Sequence, residues 1–85
     1  MPEGKRPIGV KEIVWNERIA KEVAYAVATP IYGRLSIWSQ LPLRASRSNN
    51  VWIVRGTMHS LGAGGTVRVQ IDAADARVLE LTHGK

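Results

Sequence analysis

Hydrophobic positions along this chain follow two periods, and the change between them falls close to Gly33. From Ile19 to Ile31 apolar side chains recur every three or four residues, the spacing of one helix face. Ile19, Val23, Val27 and Ile31 form one ridge, Ala20, Ala24 and Ala28 the next, with Ala26 beside them; Arg18, Lys21, Glu22 and Tyr25 take the remaining side. Asn16 is a good N-cap, and Glu17 puts negative charge in the first turn, where free amide groups favour it. The spacing therefore predicts a helix over 16 to 32. Pro30 cannot donate its amide, which ends the helix near Ala28 or kinks it into a last turn, and Gly33 supplies a left-handed stop. Tyr32 reads as an aromatic at the core's edge. The apolar arc covers half the circumference, more than the stripe of about 100° that one sheet face requires. Part of it is therefore expected to meet a second chain in a homodimer, helix against helix across the alanines or by exchange of helices through 34–40.

Beyond Gln40 the period is two. Leu41, Leu43 and Ala45 alternate with Pro42, Arg44 and Ser46 in a strand over 41–47, and Pro42 marks it as an edge. Ser48, Asn49 and Asn50 give a turn. Val51 to Val54, and then Val67, Val69 and Ile71 alternating with Arg68 and Gln70, make a hairpin whose connection, with Gly62, Gly64 and Gly65, is expected to be a mobile tip. After a turn at 73–77, Leu79 and Leu81 alternate with Val78, Glu80 and Thr82. Leu35, Ile37 and Trp38 imply that 34–40 packs down onto the core, and Ile13 and Trp15, at alternate positions, are expected to cover one end of it. The order predicts an α+β fold, one long N-terminal helix packed on a four-stranded antiparallel meander sheet from 41 to 83. Trp52, Val54, Val67, Val69, Ile71, Leu79 and Leu81 would face the helix; Val51, Ile53, Arg44, Arg55, Arg68, Gln70 and Glu80 would face away. Residues 1–10, with two prolines and two glycines, read as a flexible arm, and 11–85 as a single small domain.

Composition narrows the chemistry. A chain of 85 residues buries about 60 to 65 per cent of its unfolded surface, so stability is modest. Without cysteine there is neither a disulfide framework nor thiolate chemistry. The two histidines, His59 and His83, have no clustered carboxylates to complete a metal site and read as solvated. Gly62, Gly64 and Gly65 precede a strand rather than open a helix, which fits a hairpin tip and not a phosphate cradle. No nucleophile and base stand at a suggestive spacing, so the expectation is a binding module with no cofactor, not an enzyme.

The net charge of +5 and isoelectric point near 10.3 invite a nucleic-acid reading. Yet Lys11, Arg18 and Lys21 interleave with Glu12, Glu17 and Glu22, and Arg44, Arg47, Arg55, Arg68 and Arg77 fall on separate strands or turns. Trp52, in phase with Val54, belongs to the core rather than to a base-stacking platform. Nucleic-acid binding by a basic open sheet face stays as the alternative. Met1 to Val10 lacks the apolar run of a leader, and nothing approaches the roughly 18 apolar residues of a membrane span. A soluble, cytoplasmic protein without a membrane partner is expected.

Pro30-Ile31-Tyr32-Gly33 closing a helix, then Pro42, Trp52-Ile53-Val54-Arg55-Gly56-Thr57, Gly64-Gly65, Ile71, Val78-Leu79 and the terminal Thr82-His83-Gly84-Lys85 resemble a family of small bacterial immunity proteins with a nuclear-transport-factor-2-like fold. The likeness runs from about Ile13 to Lys85. It implies a small cytoplasmic protein that binds a cognate toxin and blocks it by occlusion, with no cofactor and no catalysis. Every matching residue except Arg55 reads as a helix stop, core side chain or turn, so the resemblance carries a fold further than a site. The chain departs from the family in two places: Ala76 stands where a glycine turn is expected, and 85 residues are too few for a cone of several helices. The partner-binding set expected on the open face is Arg44, Ile53, Arg55, Arg68, Gln70 and Glu80. A chain at +5 points to an acidic toxin face or to a toxin other than a basic nuclease, since complementary potential speeds encounter.

Overall fold

Asn16 starts the first element as its side chain allows. Its Oδ1 accepts the Ile19 amide at 2.9 Å, and helix α1 then runs Glu17–Tyr32. Residues 12–58 and 65–84 are described by the computed structural model; the N-terminal arm, His59 and the part of the hairpin tip with Gly62 and Gly64 lie outside them. Pro30 sits inside the last turn of α1 without ending it. Both Pro30 and Ala26, four residues earlier, lie on the exposed side, so the turn deprived of a donor faces solvent. Gly33 stops the helix at φ 97°, a conformation that favours glycine, and its amide closes on the Thr29 carbonyl at 2.8 Å.

The connection expected after Gly33 is itself a short helix, α2, Arg34–Trp38. Only Ile37 of its three large apolar side chains is buried; Leu35 and Trp38 are exposed, against expectation, because a five-residue helix presents one narrow side to the core. Four strands follow, β1 Arg44–Ser48, β2 Val51–Arg55, β3 Val67–Asp72 and β4 Val78–His83, in one antiparallel sheet of order β1-β2-β3-β4. The predicted helix-plus-meander is the fold. β1 begins three residues later than predicted, since the carbonyls of Gln40 and Pro42 are taken by the Thr57 amide (2.7 Å) and hydroxyl (2.6 Å) instead of by a ladder. Asn49, at φ 56°, turns β1 into β2; among non-glycine residues asparagine tolerates that conformation well.

The core forms between α1 and the inner sheet face, and the helix meets the sheet on the alanine ridge. Ala20, Ala24 and Ala28 are 0%, 1% and 1% exposed, whereas Ile31 is 59% exposed and Val23 and Val27 only half-buried. Small side chains let the helix backbone settle close over Val54, Val67, Val69 and Ile71, and the branched ridge is displaced to the flank. Helix-to-helix contact across the alanines thus has no free surface, because the sheet covers them.

Two phases also differ from expectation. In the lead-in, Val14 is buried and Trp15 is 63% exposed. The Ile13 and Val14 amides bond the Ala74 and Ala73 carbonyls at 3.1 and 3.0 Å, and the Val14 carbonyl accepts the Trp52 indole N–H at 2.8 Å, which turns Val14 inward. On β4 the register shifts between Gln70 and Ile71: Gln70 opposes Glu80 but Ile71 opposes Val78, leaving Leu79 unpaired and 44% exposed. That bulge puts Val78, not Leu79, against the core. Ala76, in the β3–β4 turn, holds φ 66°, the conformation for which a glycine was expected.

Candidate functional site

The register sorts the outer sheet face into cross-strand rows. Arg44 opposes Arg55, Arg55 opposes Arg68, and Arg68 opposes Thr82. The next row reads Ser46, Ile53, Gln70, Glu80, and a third Ser48, Val51, Asp72. Partners across an antiparallel pair share a face, so all six residues expected to bind a partner lie together, in two adjacent rows. No local sequence spacing joins them; they are brought together by turns that fix each strand's phase.

Within this face the charges are unevenly answered. Arg68 Nη1 reaches Glu80 Oε1 at 3.2 Å, and Gln70 Nε2 donates to the same oxygen at 2.7 Å, so Glu80 is already engaged by two neighbours. Arg77 lies 3.8 Å from Asp72 at the far end. Among the described residues Arg44 and Arg55 make no ion pair, and both are exposed. Ile53 and Val51 are half-buried between these polar groups and give the face an apolar floor. Arg47, one residue out of phase, points to the opposite face. There its Nη1 donates to Glu12 Oε1 at 2.8 Å, its Nη2 to Glu12 Oε2, and its guanidinium lies 5.7 Å from the Trp52 ring centroid. The hydrogen bond to Glu12 holds the Arg47 guanidinium above its ordinary basicity, opposed by desolvation and aided by the Glu12 charge. Arg47 is thus a clasp for the N-terminal lead-in, not part of the open face.

Sequence reasoning missed Gln40, which fixes the end of the sheet where the arginine row stands. This buried side chain accepts the Val67 amide through Oε1 at 2.7 Å, and its Nε2 donates to the Ser36 carbonyl and to His83 Nε2, each at 3.2 Å. A Cβ at Gly56 would lie 2.3 Å from Gln40 Oε1, so the glycine between Arg55 and Thr57 makes room for this link. His83, expected to be solvated, is half-buried with its ring 5.0 Å from that of Tyr32. A lone glutamine after a short apolar run gives no sequence signal for such a role.

A groove of about 510 Å³ runs beside α1, lined by Glu17, Arg18, Lys21, Glu22, Tyr25 and Leu41. Its opposite charges sit four residues apart along the helix, Glu17 with Lys21 and Arg18 with Glu22, the spacing of a solvated helix face. Among the described residues no group of three or more histidines and carboxylates could hold a metal ion, and no helix is long and apolar enough to cross a membrane.

A family model described as NTF2 fold immunity protein matches residues 19–85, from the first turn of α1 through every strand and therefore through the whole open face. The chain is also 34% identical over 77 residues to a protein of Escherichia coli (strain K12) named uncharacterized protein YhhH; the aligned part is 89% of this chain and 61% of that relative. The chain thus spans less than two thirds of the relative's length. No solved structure matches.

Proposed function

This chain belongs to the family of NTF2 fold immunity proteins, and from that premise we propose that it neutralises a bacterial protein toxin by binding it through the open face of its sheet and occluding it. The observation that carries the site is the row arrangement: Arg44, Arg55 and Arg68 beside Ile53, Gln70 and Glu80, on a face that no element among the described residues covers. Arginine over a half-buried isoleucine is the composition of a protein-binding patch, in which an apolar centre excludes water and fixed charges select the partner. A net charge of +5 favours a toxin whose bound face is acidic, and disfavours a basic nuclease. The reading is of a cytoplasmic binding protein without cofactor or catalysis.

The test is growth rescue. A protein toxin encoded beside this chain's gene is expected to arrest a bacterial host when expressed alone, and this chain to restore growth when co-expressed. Replacing Arg44, Arg55 and Arg68 together by Gln is expected to abolish rescue while leaving the chain folded. Rescue that survives the triple replacement would move the interface off the sheet, and failure of the native chain to rescue would overturn the functional reading.

A further inference from the structure

Opposed arginines are an unusual choice for a sheet. Like charges directly across strands are destabilising, and here two such pairs, Arg44 with Arg55 and Arg55 with Arg68, lie in one row. Thr82 ends the same row on β4 without charge, and among the described residues only Arg68 of the three arginines is tied into the sheet by an ion pair, to Glu80. We propose that this row is a comb for carboxylates, docking a protein element of the partner whose Asp or Glu side chains recur every 5 Å or so along one side, with Arg55 as the central tooth. The proposal rests on the protein-binding reading given above and names the chemistry of what is bound.

Adjacent strands are about 4.8 Å apart, so the three guanidinium stems start at that spacing. Glutamates at i and i+4 on a helix stand about 5 to 6 Å apart, and carboxylates opposed across strands about 4.5 to 5.5 Å, so either element matches the row without distortion. Each guanidinium offers a planar fork of donors that takes a carboxylate through two parallel bonds. Arg68 is half-answered by Glu80, while Arg44 and Arg55 have no ion pair among the described residues, so the unanswered charge is greatest at the Arg44–Arg55 half. Ile53, beside Arg55 in the next row, lets the bound pair be partly desolvated.

A phosphate backbone fits less well. A row spanning about 10 Å meets only about three phosphates of one strand. Glu80 and Asp72, on the next two rows, would repel its continuation, and none of the three outer rows carries an aromatic side chain on which a base could stack.

Two helical peptides of identical composition test this, one with three glutamates at i, i+4 and i+8, the other with the three spread around the helix, together with a twelve-residue oligo-dT. Binding is read at low salt from the arginine Nε–H resonances of the full chain. The aligned peptide is expected to shift the signals of Arg44, Arg55 and Arg68 together and to bind at least fivefold more tightly than the dispersed one. Arg55→Gln is expected to erase that preference, Arg44→Gln to reduce it, and Arg18→Gln, which removes the same charge from α1, to leave it intact; thermal melting of each variant verifies that it is folded. Equal binding of the two peptides, equal losses in Arg55→Gln and Arg18→Gln, or tighter binding of oligo-dT would overturn the comb. Preference for the aligned peptide without growth rescue would sink the toxin reading alone, and rescue by Arg55→Gln would sink the comb alone.

Discussion

On the inner side of the sheet the row Ala45, Val54, Val69, Leu81 is built of side chains that agree with one another, apolar against apolar under a helix of alanines. One residue along each strand, the row Arg44, Arg55, Arg68, Thr82 opposes like charges in the open. The same strands and the same hydrogen-bond ladder support both rows, so backbone pairing does not explain the difference. The inner rows satisfy what folding needs: apolar area removed from water and the Trp52 N–H handed to the Val14 carbonyl. Among the described residues the outer rows leave charge unanswered, which folding disfavours and association can use. Stability thus rests on the inner face, the proposed recognition on the outer one, and substitutions on the two should move different observables.

The largest effect separates neighbours on β2. Trp52→Ala removes a buried ring and its indole bond and should cost about 3 to 5 kcal/mol, a large part of the stability of so small a domain. Ile53→Ala, on the other face, should cost well under half of that; a urea series on both variants checks the contrast, and equal losses would erase it. Next comes the helix. Ala24→Leu forces extra volume between α1 and the sheet and should cost about 1 to 3 kcal/mol, whereas Ile31→Ala should change the midpoint little, because Ile31 stands in solvent. The reverse order would restore the branched ridge to the core.

Two smaller changes should stabilise. Ala76→Gly relieves a left-handed residue, a strain of about 1 to 2 kcal/mol, less the greater freedom glycine has in the unfolded chain, for a net gain of roughly 0.5 to 1 kcal/mol. Ala76 packs at the edge of the core and not on the outer face, so the change should leave partner binding unchanged. Arg55→Thr removes both like-charge oppositions at once and should gain a few tenths of a kcal/mol, with the gain shrinking as salt is raised from about 0.01 to 0.5 M. Melting temperatures across that salt series check it, and a loss of stability would mean that Arg55 supports the fold.

The sequence by itself determined the long helix, the four strands and their order, but not the short helix α2. Asn16 and Gly33 bracket α1, and the alternation in β2 and β3 separates Trp52 and Val54 from Ile53 and Arg55. Such signals are local, since a cap, a period or a dihedral preference acts within a few residues. Tertiary structure alone decided which helix ridge meets the sheet. An alanine ridge and a valine–isoleucine ridge both qualify by period, and the choice turns on how closely two backbones can approach. It decided likewise that the bulge turns Val78 inward, that Gln40 spans α2 and β3, and that three arginines from three strands stand in one row. Each depends on register between segments distant in sequence, and register is set only when every strand has found its partner.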